Sequence, residues 1–214
     1  MKAQPTVRAV RGLYAVTPDT EKIESLVVHV TAAISGGVRI IQYRNKTATP
    51  ELRLAQARAL KSLCRNMGAT LIINDHVELA LAVDADGIHV GSEDTSYDNA
   101  RQALGNQKLV GISCYNQLGL ALAAESRGAN YVAFGSFFPS RVKPGAVHAP
   151  ADLLIDARRA LEVSIVAIGG ITLDNAPPLI SAGADAVAVI SALFSAPDVT
   201  AAARSFTALF GAQR

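Results

Sequence analysis

The sequence predicts a closed (β/α)8 barrel, and three observations support this fold class. Short apolar runs alternate with amphipathic helical stretches from Gly12 onward, and there are about eight such runs. The runs lack an apolar-polar alternation, which is typical of parallel strands buried on both faces. The chain has 214 residues and is 50% hydrophobic, enough for the core of one small barrel. An open doubly wound sheet is the second interpretation, and both folds place ligands at the carboxyl ends of the strands.

The strands and helices can be located from their composition and their end signals. The predicted strands are residues 13–16, 38–43, 70–73, 87–90, 109–112, 131–134, 164–168 and 186–190. One helix begins at Thr49, with Pro50 at its first position, and ends at Gly68. A final helix is predicted within residues 198–210. No linker divides the chain, so residues 1–214 are predicted to form one domain, with residues 1–11 as an amino-terminal extension.

Composition and charge exclude several classes of partner. The chain carries 20 basic and 18 acidic residues, a net charge of +2, which gives no reason to expect nucleic acid or an anionic membrane. Any anion site must therefore be local, and small molecules are the expected partners, with a homo-oligomer possible. Cys64 and Cys114 belong to no CxxC pair and are expected to be reduced. No signal peptide or membrane-length apolar run is evident, so a cytoplasmic location is expected.

The stretch from Gln42 to Lys46 predicts an anion-binding group at the end of the second strand. Side chains alternate along an extended segment, so Gln42, Arg44 and Lys46 point to one side and Tyr43 to the other. A guanidinium binds oxyanions bidentately, and an ammonium adds a compact point charge. A solvated strand end is the alternative interpretation of this segment on its own.

Two separated acids are candidates for a metal site on the same rim. Asn74 and Asp75 follow the third predicted strand, and Asp94 comes soon after the fourth. One or two carboxylates commonly hold Mg²⁺, with water and phosphate oxygens completing the shell. Helix capping is the alternative role, above all for Asp94.

Later strand ends add further candidates. Ser113 follows the fifth predicted strand, and a long connection with Lys143 follows the sixth, which marks a candidate binding loop. The seventh strand runs into Gly169 and Gly170, and the eighth into Ser191. Phosphate sites in such barrels frequently form after strands seven and eight.

The histidines do not indicate an acid-base centre. His89 lies within a predicted strand, where a packed, hydrogen-bonded histidine is expected, and His76 beside Asp75 is a weak candidate for orienting that acid. No zinc spacing, Walker A motif or Gly-x-Ser-x-Gly elbow is present. Two anion sites at one barrel mouth, one of them cationic and metal-binding, instead indicate transfer between two phosphorylated small molecules.

The ordered set of strand-end motifs resembles the thiamine-phosphate synthase family, also called thiamine-phosphate pyrophosphorylases, over nearly the whole chain. The motifs are Gln42-Tyr43-Arg44-Asn45-Lys46, Asn74-Asp75, His89-Val90-Gly91 through Glu93-Asp94, Gly111-Ile112-Ser113, Gly135 through Lys143, Gly169-Gly170-Ile171 and Ile190-Ser191. The resemblance implies a transferase that joins hydroxymethylpyrimidine diphosphate to hydroxyethylthiazole phosphate, giving thiamine phosphate and diphosphate. In the family, diphosphate leaves first, and the thiazole nitrogen captures the resulting carbocation.

The resemblance also implies roles for individual residues. The residues implied to grip the diphosphate are Gln42, Arg44, Lys46, Asn74 and Lys143. Asp75 and Asp94 would hold Mg²⁺, and Ser113 would lie near the reacting groups. The residues implied to bind the thiazole substrate and its phosphate are Ser140, Gly170, Ile190 and Ser191. Arg44, Lys46, Ser113 and Lys143 are the predicted catalytic residues.

The chain departs from the family pattern at a few positions. Val142 stands where the family loop usually has a second threonine, so a hydrogen bond expected there is lost, while Ser140 keeps one hydroxyl. Ser92 replaces a common glutamine and Asn45 a common glutamate. Two other functions fit parts of the pattern: a thiazole tautomerase of similar fold, and a non-catalytic binder of thiamine phosphate.

Overall fold

The protein is a closed barrel of eight parallel strands, connected in sequence order from the first strand around to the eighth. The computed structural model describes residues 10–91, 97–139, 145 and 147–211. The last strand pairs in parallel with the first, with Gly12 opposite Ala186 and Ala15 opposite Val189. This pairing confirms the predicted (β/α)8 barrel and rules out the open sheet.

Helices follow the strands and cover the outside of the barrel. The strands are β1 Gly12–Val16, β2 Ile40–Tyr43, β3 Thr70–Asn74, β4 Gly87–Val90, β5 Leu109–Tyr115, β6 Tyr131–Phe134, β7 Ser164–Ile168 and β8 Ala186–Val189. The helices are α1 Ile23–Ser35, α2 Pro50–Met67, α3 Val77–Ala82, α4 Tyr97–Leu104, α5 Leu118–Ser126, α6 Asp152–Ala160, α7 Ala176–Ser181, α8 Ser191–Phe194 and α9 Val199–Gly211.

Helix α2 shows how local sequence sets the element boundaries. The Thr49 side chain accepts a hydrogen bond from the Leu52 amide, and Pro50 occupies the first turn, where its missing amide costs nothing. Gly68 ends the helix in the left-handed conformation, with φ of 69°. The predicted cap, first position and stop of this helix are therefore confirmed.

Two hydrophobic cores result from the alternation of side chains along each strand. Outward residues such as Ile41 and Tyr43 pack under the helices. Inward residues such as Tyr14, Ile40 and Tyr131 fill the barrel together with Val10, which lies in the predicted amino-terminal extension yet is buried. The inner core is the smaller of the two, and polar side chains such as Gln42 and His89 share the barrel interior with it and line a cavity there.

Two strands extend further than predicted at their carboxyl ends. β5 continues to Tyr115, so Ser113 lies inside the strand and not after it. A register shift between Ser113 and Tyr115 in the pairing with β6 allows this continuation. Asn74 is the last residue of β3 and pairs with His89. Both residues therefore belong to strands, and the predicted strand ends at residues 73 and 112 were wrong.

The two cysteines and the helix lengths bear on the predicted surroundings of the protein. Cys64 and Cys114 are free and buried, and burial raises the pKa of each thiol to about 12. Both are therefore protonated, unreactive thiols, in line with the expected reduced state. In the part of the chain that the structure describes, no helix combines the length and apolarity needed to cross a membrane.

Gly111 is required by the packing inside the barrel. The ring of Tyr131 occupies the place that a Cβ at Gly111 would take. We therefore expect Gly111→Ala to lower the free energy of unfolding by about 1–3 kcal/mol, the usual cost of overpacking a core. Urea unfolding measures the difference.

Gly119→Ala is the matched control, because no atom lies within 4 Å of a Cβ placed there. Gly119 is exposed in α5, where alanine is the better helix former, so this change should stabilise the protein by up to about 1 kcal/mol. Equal unfolding midpoints for the two variants would contradict the packing requirement.

Candidate active site

A cavity of about 730 Å³ opens at the carboxyl ends of the strands. The predicted site residues that line it are Gln42, Arg44, Lys46, Asn74, Asp75, Ser113, Gly170, Ile190 and Ser191. These residues come from five of the strands or the loops that follow them, and only the barrel closure brings them together. The remaining predicted residues, Asp94, Ser140 and Lys143, lie outside the described residues, as do Ser92 and Val142.

Arg44 and Lys46 are held at the rim by residues that follow β1. The Asp19 carboxylate pairs with the Arg44 guanidinium at 3.3 Å and accepts a hydrogen bond from the Lys46 amide at 2.9 Å. The Thr17 hydroxyl donates to the Arg44 carbonyl and accepts from the Arg44 amide, both at 2.9 Å. Arg44 is therefore fixed at its backbone and its side chain. Asp19 and Thr17 were not among the predicted site residues, because neither belongs to a recognisable motif.

Asn45 builds the turn between the two cations. Its side-chain oxygen accepts from the amides of Thr47 and Ala48, and its amide nitrogen donates to Thr20 and to buried Gln56. All hydrogen-bonding groups of this side chain serve the fold of the loop. Asn45, which stands where the family often has glutamate, thus has an architectural role in this chain.

Asn74 and Asp75 form a unit at the end of β3. The Asn74 amide nitrogen donates to an Asp75 carboxylate oxygen at 2.5 Å. Asp75 has a φ of 62°, a left-handed conformation that non-glycine residues rarely adopt. Both residues also line a second cavity of about 390 Å³, which lies beside the main one and is bordered by Lys46 and Arg53. His76 borders this side cavity, too.

The wall formed by β7 and β8 consists largely of backbone. Gly169 and Gly170 have φ of 104° and 62°, and both contact the segment after β6, so a side chain at either position would collide with it. The amides of Phe137 and Phe138 donate to the carbonyls of Ile168 and Gly169. The glycines therefore serve a tight turn against the neighbouring loop as well as lining the cavity.

The floor of the cavity is a set of hydrogen-bonded side chains. The Gln42 amide nitrogen donates to the Tyr14 hydroxyl at 2.9 Å, and the hydroxyls of Tyr14 and Tyr131 are 2.8 Å apart. His89 lies between Tyr131, 3.1 Å from Nδ1, and Ser113, 2.9 Å from Nε2. His89 is thus a packed, hydrogen-bonded histidine, as predicted. The two tyrosines were not predicted site residues, since each lies inside an apolar strand.

Burial sets the charge of this floor. His89 is 8% exposed, and desolvation lowers the pKa of its imidazole to about 4. Burial likewise raises the pKa of the Tyr14 hydroxyl and that of Tyr131. All three groups are neutral at neutral pH, so the floor is polar but uncharged, and the formal charges lie at the rim.

Comparison with known proteins identifies the family. The family model described as thiamine monophosphate synthase matches residues 13–193, which is most of the barrel. The chain belongs to the thiamine monophosphate synthase family. The match spans every strand from β1 to β8, including all predicted site residues.

Individual members of the family are similar along nearly their whole length. The thiamine-phosphate synthase of Nitrosomonas eutropha is 54% identical over 201 residues, covering 94% of this chain and 95% of that protein. The thiamine-phosphate synthase of Nitrosospira multiformis is 52% identical over 206 residues, covering 96% and 88%. Among solved structures, thiamine phosphate pyrophosphorylase from Pyrococcus furiosus matches with a TM-score of 0.83 at 33% identity, covering 94% of this chain and 96% of that one.

The neutral state of His89 makes the stability of this family member depend on pH. The imidazole takes up its proton near pH 6.5 in the unfolded chain and near pH 4 in the folded protein. Above about pH 6.5 the neutral imidazole does not reduce the free energy of unfolding. Between about pH 6.5 and about pH 4 the free energy of unfolding falls as the pH falls, because only the unfolded state binds the proton in that range. Between pH 7 and pH 5, we expect the free energy of unfolding of the wild type to fall by about 2 kcal/mol more than that of His89→Gln. Urea unfolding at the two pH values measures this difference.

His148→Gln is the control, because His148 is exposed in the segment before α6. This variant should keep the pH dependence of the wild type. A His89→Gln protein whose stability falls as steeply as that of the wild type would show that His89 is not the group responsible.

Proposed function

We propose that this chain joins hydroxymethylpyrimidine diphosphate to hydroxyethylthiazole phosphate and releases thiamine phosphate and diphosphate. Membership in the thiamine monophosphate synthase family supports this reaction, as does the name shared by its relatives. The proposed mechanism is dissociative. The bond between the pyrimidine methylene carbon and the diphosphate oxygen breaks first, and the thiazole nitrogen then donates its electron pair to that carbon.

One observation carries the proposal: the residues predicted to bind two different phosphate groups line one cavity, on either side of β1. Arg44 and Lys46 extend the wall from β2, while Gly170 and Ser191 belong to the wall of β7 and β8. Two phosphorylated substrates bound to these walls would face one another across the cavity. Holding both reactants in one orientation removes much of the entropic barrier to a two-substrate reaction.

The cations at the rim act on the leaving group in this mechanism. Negative charge grows on the diphosphate oxygen as its bond to carbon breaks, so a positively charged neighbour binds the transition state more tightly than the substrate. Arg44 is pre-positioned for this by Asp19 and Thr17, and needs no rearrangement when charge develops. The neutral floor lies below, where the organic ring of the substrate would be held.

We propose that the rim binds a magnesium ion. Arg44 and Lys46 lie near Asp19 and Asp75, so the described cations and carboxylates at this rim nearly balance. A multiply charged diphosphate therefore needs further positive charge, and Asp75, with Asp94 as the second predicted ligand, would hold Mg²⁺ there. The bound metal would supply charge stabilisation for the leaving diphosphate. Water and phosphate oxygens would complete its coordination shell.

Two other functions remain as alternatives. A thiazole tautomerase would not need to bind diphosphate. The two cations at the rim, Arg44 and Lys46, therefore argue against this function. A passive binder of thiamine phosphate would need neither a carboxylate pair nor two anion-binding walls.

We also propose a cytoplasmic location, supported by the two free, buried cysteines. Assembly into a homo-oligomer stays a prediction.

The purified protein should form thiamine phosphate when supplied with both substrates and Mg²⁺. Arg44→Ala should lower kcat/KM at least about a hundredfold, because it removes a charge that acts on the leaving group. Arg58→Ala is the matched control, since Arg58 is exposed on α2 away from the cavity, and it should keep full activity. Absence of product with wild-type protein at saturating substrates would overturn the proposed reaction.

Removing magnesium should abolish diphosphate binding, measured by isothermal titration calorimetry with and without a chelator. Asp75→Asn should weaken diphosphate binding in the presence of Mg²⁺ by about tenfold or more, because it removes a carboxylate ligand. Asp156→Asn, on the outer face of α6, provides the comparison and should bind normally. Thermal stabilisation of the wild type by thiamine phosphate alone, with no catalysis, would instead favour the passive binder.

A further inference from the structure

Five side chains form an unbroken line of hydrogen bonds across the barrel floor. The line runs from Gln42 on β2 through Tyr14 on β1, Tyr131 on β6 and His89 on β4 to Ser113 on β5. Only its two ends, Gln42 and Ser113, carry roles predicted from the sequence. The three central groups connect those ends through the inner core.

One direction of donation along the line gives the proton of every central group an acceptor, and burial of Tyr14 and Tyr131 favours that direction. The Gln42 amide donates to the Tyr14 hydroxyl, whose own proton then points to Tyr131. Tyr131, having accepted that bond, donates to Nδ1 of His89. The neutral imidazole then carries its proton on Nε2 and donates to the Ser113 oxygen. If His89 instead donated from Nδ1 to Tyr131, the hydroxyl proton of Tyr14 or of Tyr131 would have no acceptor within the line, which is costly for a buried group.

The surroundings hold the three central groups in place. Tyr14 and Tyr131 meet edge to face, and the His89 ring stacks on Tyr131 with ring centres 5.5 Å apart. Gly111 leaves the space that the Tyr131 ring occupies. The His89 ring is buried between two hydroxyls, and a neutral imidazole offers them one donor and one acceptor nitrogen.

We propose that Tyr14, Tyr131 and His89 are positioning residues that hold the Ser113 hydroxyl as a hydrogen-bond donor toward the pyrimidine substrate. Because Ser113 accepts its bond from His89, its own proton is directed into the cavity that it lines. The ring nitrogens of a pyrimidine are hydrogen-bond acceptors, so a donor at this position complements them. This inference rests on the proposed function, which supplies the identity of the ring.

The tautomer of His89 is a direct test that needs no catalysis. Heteronuclear NMR of isotope-labelled protein separates protonated from bare ring nitrogens, and His89→Gln assigns the signal. We expect the proton on Nε2 in the wild type and a loss of this preference in Tyr131→Phe, which removes the donor to Nδ1 and leaves the ring in place. A proton on Nδ1 in the wild type would overturn the inference, because Ser113 would then donate to the histidine.

Kinetics test the consequence for the substrate. Tyr131→Phe should raise KM for the pyrimidine diphosphate about fivefold to tenfold, the effect of losing about one hydrogen bond, and leave KM for the thiazole phosphate unchanged. Because Tyr131 acts through Ser113, the double variant with Ser113→Ala should be no worse than Ser113→Ala alone. Additive losses in the double variant would overturn the inference.

A merely structural role for Tyr131 would lower the amount of active protein and leave both KM values unchanged. Tyr97→Phe is the matched control: it also removes a buried tyrosine hydroxyl, one that accepts from Arg101 on the outside of the barrel, and both KM values should stay at wild-type levels. Wild-type protein that forms no product would overturn the proposed function. Active wild-type protein with His89 in the other tautomer would overturn only the positioning inference.

Discussion

The register of the eight strands is the constraint on which the rest of the structure depends. In a parallel barrel every second side chain points inward, and a slip by one residue would exchange the inner and outer sets. The observed register turns Gln42 and His89 into the barrel and Tyr43 toward the helices. Nearly every strand residue is buried whichever way it faces, so apolarity alone does not fix this choice. The polar residues favour the observed register, because residues such as Gln42 and His89 form hydrogen bonds on the inner face.

Within that register the cavity divides into a neutral floor and a charged rim. The floor consists of aromatic, amide and hydroxyl groups that satisfy one another, and no described buried side-chain nitrogen or oxygen lacks a hydrogen-bond partner. The rim carries the cations and carboxylates, where water or phosphate can solvate them. This division suits substrates that join a heteroaromatic ring to a phosphate group. It also avoids the large cost of burying an unpaired charge.

The rim depends on short-range support from the neighbouring strand. Thr17 and Asp19 follow β1 and brace Arg44, which follows β2, while Asn45 and Gln56 shape the turn that carries Lys46. Such contacts hold cationic side chains in one geometry before a ligand arrives, which lowers the entropic cost of binding. Asp19 therefore helps to set the position of the Arg44 side chain.

The sequence by itself determined the barrel, the ends of helices such as α2, and several polar residues of the cavity wall. These follow from local signals: apolar runs for the strands, Thr49 and Gly68 for the helix, and polar residues placed directly after strands. The tertiary structure alone decided the floor. Tyr14 and Tyr131 lie 117 positions apart in the chain, inside apolar strands where a tyrosine looks like ordinary core. Their hydroxyls meet only because closure of the barrel brings β1 and β6 across the same interior, and no local pattern in a sequence records that contact.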